Sequence, residues 1–189
     1  VTKKSKSPLS FHPIALIFGL LSFVSYLVEG AVGDWSALYL FEDKGIVIEE
    51  AVMGVMLFNG TMCIGRLLGN RLGKHLTSKQ VVVGGYLLGS IAMGLIVFLP
   101  GHASMYTYLL LGISLAMIVP NLFSAMGEQN VIPMTQAVAT STMLGYMGIL
   151  MGPALIGFIA HGTSLTVAFI VLTTLLVVSA GIGKYAYHL

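Results

Sequence analysis

The chain has 189 residues, 57% hydrophobic and 8% charged, with nine Lys or Arg against seven Asp or Glu and a net charge of +2. An average soluble domain carries roughly 25% charged residues, so this composition, with a mean hydropathy of +0.94, excludes a soluble enzyme, a nucleic-acid reader and a disordered chain. The single cysteine, Cys63, excludes a disulfide framework and a cysteine-based zinc site, leaving a polytopic membrane protein.

A membrane-crossing helix needs about 20 mainly apolar residues. Long uncharged runs lie between Lys6 and Glu29, between Lys79 and Glu128, and between Glu128 and Lys184. Turn-forming sequences split the second at Pro100-Gly101-His102 and the third at His161-Gly162-Thr163-Ser164. The pattern predicts six helices over 13–40, 49–69, 80–99, 104–126, 136–160 and 164–184. The second of these spans if Glu50 and Arg66 reach out to the two interfaces. Helices satisfy every backbone hydrogen bond in lipid, and the alternation of a β-barrel is absent. The expected fold is all-α, with six transmembrane helices.

Basic residues set the orientation. Lys3, Lys4 and Lys6 precede the first helix, Arg66, Arg71, Lys74 and Lys79 fall between the second and third, and Lys184 follows the sixth. Six spans put all of them on one side, expected to be the cytoplasm, with Lys44 alone opposite among Glu42, Asp43, Glu49 and Glu50. Both ends of the chain are then cytoplasmic. The sequence starts at Val1 rather than Met and is expected to be a piece of something longer.

Charges inside a membrane are costly and default to function. On helix one, Glu29 shares a face with Ser22, Ser25, Tyr26, Gly33 and Ser36 at spacings of three, four and seven. Glu29 is either a proton carrier or solute-bonding group, or a protonated acid bonded to a neighbouring helix; Asp34 and Trp35 read as an interface anchor. Asn59 on helix two and Asn121 on helix four, beside Pro120, are equally solute contacts or interhelical glue. Helices three and six offer little inward polarity, so one, two and four are expected to face inward. Helix five carries Gly145, Gly148 and Gly152 on one face, suited to close packing, and Pro153, suited to a kink. There is no H-E-x-x-H, G-x-S-x-G or phosphate-cradling loop. The five histidines have no ligand spacing, so neither an enzyme, a metal site nor a cofactor is expected.

The segment between helices two and three reads Gly65-Arg66-Leu67-Leu68-Gly69-Asn70-Arg71-Leu72-Gly73-Lys74-His75. It resembles the basic loop signature G-R-L-x-G-D-R-L-G-[RK]-[RK] of the major facilitator superfamily, in which it follows the second span of a six-span unit on the cytoplasmic side. Glu29 to Leu40 and Gly145 to Phe158 are similar to the seventh and eleventh helices of a bacterial branch related to fucose-type sugar permeases. The resemblance implies that 1–12 end a central cytoplasmic loop and that 13–189 form the C-terminal six-helix half, two inverted three-helix repeats, of a twelve-helix carrier. It implies a bacterial inner-membrane protein that moves a small solute by alternating access, importing a polar or sugar-like solute together with a proton. Its partners would be solute, proton, lipid and the absent N-terminal half. Tyr26, Glu29, Asn59 and Asn121 would line the path, and Gly65, Arg66, Gly69, Asn70, Arg71, Gly73 and Lys74 would form the gating loop. Asn70 departs from the signature's Asp, leaving Arg71 as its charged element. An exporter of amphipathic compounds, and a six-helix channel or scaffold, are the alternatives.

Overall fold

The computed structural model describes residues 9–72 and 76–187, with 70–72 described by backbone only. Among the described residues, eight helices make six membrane-length spans. They are α1 (Pro13–Glu42), α2 (Ile48–Leu72), α3 (Ser78–Phe98), a fourth span built from α4 (Gly101–Tyr106), α5 (Tyr108–Ala116) and α6 (Ile118–Glu128), then α7 (Met134–Gly162) and α8 (Leu165–Ala186). The described residues contain no strand.

Local chemistry sets the helix starts. Pro13 opens α1, where its missing N–H costs nothing, and the His12 ring accepts from the Ile14 amide. Thr77 and Gln80 bond each other's backbone amides in a capping box at α3. Ser164 accepts from the Val167 amide at the start of α8. The turns before α2 and α4 use Gly45 and Gly101 in the left-handed region.

The spans pack as three principal pairs: α1 with α7, α2 with α5, and α3 with α8. Large apolar side chains such as Leu67, Phe98, Leu150 and Phe158 remain exposed on the outside, as a bilayer environment requires. Tyr86 of α3 is fully buried against α1. Its hydroxyl donates to the Leu21 carbonyl at 2.6 Å and lies 2.8 Å from Ser25 Oγ.

At the end opposite the chain termini, Lys44 Nζ donates to the Val97 carbonyl at 2.6 Å and sits 5.4 Å from the centre of the Tyr39 ring. Burial lowers its pKa, against the opposing pull of Asp43. Thr166 donates to Asp43 at 2.7 Å, and His102 lies 2.7 Å from Glu50. At the end holding the termini, the Ser10 amide donates to Thr140 Oγ1 at 2.9 Å, tying the start of the chain to α7.

Two expectations are corrected. The basic segment is not a loop from Gly65: α2 continues to Leu72, carrying Gly65, Arg66, Gly69, Asn70 and Arg71 in helix, while Gly73, Lys74 and His75 lie outside the described residues. The glycines face a neighbour rather than a bend. A Cβ on Gly65 would come within 2.6 Å of the Ala116 Cβ, and one on Gly69 would overlap the Met117 sulfur. Second, the fourth span breaks at Met117 and Thr107, not at Pro120-Asn121. Pro120 has no N–H for the Ala116 carbonyl, so the ladder shifts one turn earlier. The Asn121 amide and side chain both donate to the Met117 carbonyl, at 3.2 and 2.8 Å.

Candidate functional site

α1 is a 30-residue helix, and Glu29 stands on it about 24 Å from Pro13 and about 20 Å from Glu42 at 1.5 Å per residue. Its carboxylate is deep within the span. Arg66 lies on α2 about 27 Å from Ile48, and its side chain turns to Glu29. Arg66 Nη2 donates to Oε2 at 3.1 Å and Oε1 at 3.4 Å. The pair is not sealed in: the Arg66 side chain is 44% exposed and that of Glu29 22%. Arg66, near the end of its span, is also a partner of Glu29.

Tyr26 stands one turn from Glu29 and is half-buried. Its ring stacks on Tyr146 of α7, with centroids 6.2 Å apart and planes 6° apart. Glycine makes this approach of α1 and α7 possible. A Cβ on Gly145 would come within 2.7 Å of the Tyr26 ring, one on Gly148 would overlap the Phe23 carbonyl, and one on Gly152 would come within 2.5 Å of the Leu27 carbonyl. Pro153 lacks the N–H that would bond the Ile149 carbonyl, and that carbonyl lies against Gly30, 2.8 Å from where a Cβ would stand. The Pro153 carbonyl accepts from Trp35 Nε1 at 2.9 Å, so Trp35 is tied to α7 at its internal proline.

Asn59, Cys63 and Arg66 follow at four and three residues along α2, on one exposed stripe. Asn59 makes no hydrogen bond among the described residues. The structure thus brings Tyr26 and Glu29 together, adds Arg66 and Tyr146, and leaves Asn59 on the same face of α2 as Arg66. Asn121 stands apart on the fourth span, where its amide donates one N–H to the Met117 carbonyl of its own helix. Ser22, Ser25 and Ser36, expected beside Glu29, are buried in the bundle. Arg66 and Tyr146 were legible only in part: Arg66 follows Asn59 by seven residues, and Tyr146 adjoins the glycine stripe. Among the described residues, no three His, Cys, Asp or Glu side chains gather as a metal site.

Comparison with known proteins bears on the chain as a whole. The chain is 42% identical, over 82% of its length, to an uncharacterized MFS-type transporter of Yersinia pestis. This similarity supports an MFS transporter half. The chain is also 30% identical over 88% of its length to membrane protein MosC of Rhizobium meliloti, and 28% identical over 82% to an uncharacterized transporter of Sinorhizobium fredii. It spans 40%, 42% and 41% of these relatives' own lengths. No family model matches the chain.

Proposed function

We propose that this chain is the C-terminal six-helix half of a major facilitator superfamily carrier, and that the face bearing Tyr26, Glu29, Asn59 and Arg66 lines its solute path. The single observation behind this is an incompletely buried ion pair, Glu29–Arg66, which joins an acid midway along one apolar span to a cation near the end of the next. Desolvating two charges is expensive, and an intramembrane pair that lines a cavity or a second bundle has a use that a lipid-facing one lacks. The share of each relative covered by the chain, about two fifths, agrees with six helices of a twelve-helix whole. The charge asymmetry of the sequence supports an orientation with both ends in the cytoplasm of a bacterial inner membrane.

The carrier works by alternating access, its two halves rocking about a midplane site. Glu29 carries the coupling proton, and a small polar or sugar-like solute is imported with it. Beyond Arg66 the end of α2, from Gly69 against Met117 of the fourth span to Leu72, belongs to the cytoplasmic closure. Substitution of Glu29 by Gln in the intact protein tests this: uptake driven by a pH gradient is lost while the protein still inserts. Unchanged uptake removes Glu29 from coupling.

A further inference from the structure

Arg66 is under-used. Both of its bonds to Glu29 come from one nitrogen, Nη2. Nη1 and Nε make no hydrogen bond among the described residues, although the side chain is 44% exposed. A guanidinium presents five N–H donors in a planar fork suited to a carboxylate, and in a low-dielectric surround unpaired donors of a charged group are costly. A pair serving only to join α1 and α2 would turn the fork to Glu29 and close over it. This one keeps its second edge on the open face, near the Tyr26 ring that stacks on Tyr146 and on the exposed stripe of Asn59, which makes no hydrogen bond among the described residues. The groups that interact electrostatically here are Glu29 and Tyr26 from α1, Arg66 from α2 and Tyr146 from α7. Only Arg66 among them is a cation.

We propose that Arg66 is the recognition group for an anionic solute, a small carboxylate-bearing compound that binds the free edge of its guanidinium and displaces Glu29 from it. This deepens the transport role proposed above and rests on it. Glu29 and the solute carboxylate compete for one cation. A proton arriving on Glu29 neutralises the acid, releases Arg66 and leaves the cation to the solute. One proton and one carboxylate then move together, so the cycle carries no net charge. The aromatic pair offers a flat apolar wall to the carbon skeleton, and Asn59 is placed along the same stripe for its hydroxyls.

The test uses intact protein in proteoliposomes and three matched probe pairs: galacturonate and galactose, gluconate and glucitol, lactate and propane-1,2-diol. The acid of at least one pair is taken up at least about tenfold faster than its neutral counterpart. That uptake responds to a pH gradient and not to an imposed membrane potential. Arg66→Gln erases the preference for the acid, and Arg66→Lys, which keeps the charge but not the fork, retains only part of it. Glu29→Gln exchanges the acid across the membrane but no longer accumulates it against a gradient. Should Arg66→Gln fail to insert, Arg66→Lys carries the comparison. Uptake of a neutral probe equal to that of its acid, or a preference that survives Arg66→Gln, overturns anion recognition while leaving transport at this face intact. Uptake of neither member of any pair overturns both.

Discussion

Gly152→Ala adds one methyl group between α1 and α7. The new Cβ would stand 2.5 Å from the Leu27 carbonyl oxygen and 3.3 Å from its carbon. Carbon and carbonyl oxygen approach to about 3.3 Å even in the closest regular contacts, so the helices must separate locally by about 0.8 Å. The obstacle is backbone, which cannot rotate aside as a side chain does. Overpacking of this kind costs about 1–3 kcal/mol, against a gain of up to about 1 kcal/mol from replacing a helical glycine by alanine. The control is Gly181→Ala on the exposed side of α8, where a Cβ meets nothing within 4 Å; it gains the propensity without the clash. In detergent, thermal unfolding of the intact protein, followed by loss of the monodisperse fluorescent peak, is expected to occur at lower temperature for Gly152→Ala and unchanged or higher temperature for Gly181→Ala. Equal midpoints for the two variants would refute the close backbone contact.

Tyr86→Phe removes a buried hydroxyl that bonds both the Leu21 carbonyl and Ser25; a loss of about 1–3 kcal/mol is expected, read as a lower midpoint in the same assay. Trp35→Phe keeps a ring beside Gly157 but deletes the bond to the Pro153 carbonyl, for a smaller loss of about 1 kcal/mol. Burial lowers the pKa of Lys44 below its ordinary 10.5, so the unfolded chain holds more protons there; the native protein gains stability relative to Lys44→Met as pH rises toward 10.5, seen in midpoints measured between pH 8 and 10.5. Cys63, exposed one turn from Arg66, reacts with a water-soluble maleimide in membranes, and a bound solute slows the reaction; absence of labelling in every condition would exclude water from this stripe.

The spans were legible because hydrophobic length is a local property: six runs of apolar residues and two turn sequences sufficed. Their ends were less so. Gly65 and Gly69 have the composition of a turn, yet on α2 they accommodate Ala116 and Met117, residues some fifty positions away. Arg66 was assigned to an interface because a lone cation belongs there, and Glu29, its partner, is 37 residues distant in sequence. Asn121 illustrates the converse: an intramembrane amide invites a functional role, yet beside Pro120 it also donates to the Met117 carbonyl of its own helix, a local role the sequence does not announce. Sequence spacing placed Tyr26 and Glu29 on one face correctly; it could not say that the serines of that face would be covered by the neighbouring helices.

Where Gly148 and Gly152 receive the carbonyls of Phe23 and Leu27, and Gly30 receives that of Ile149, main chain rests on main chain with no flexible side chains between. Such a seam has no lubricant. α1 and α7 cannot slip lengthwise without driving a carbonyl into the next residue's Cβ, so the two travel as a single plank, and the Tyr26–Tyr146 stack travels with them. Relative displacement within this bundle is left to the joints between that plank and its neighbours, and among the described residues the joint with α2 is the one bridged by charge, through Glu29–Arg66.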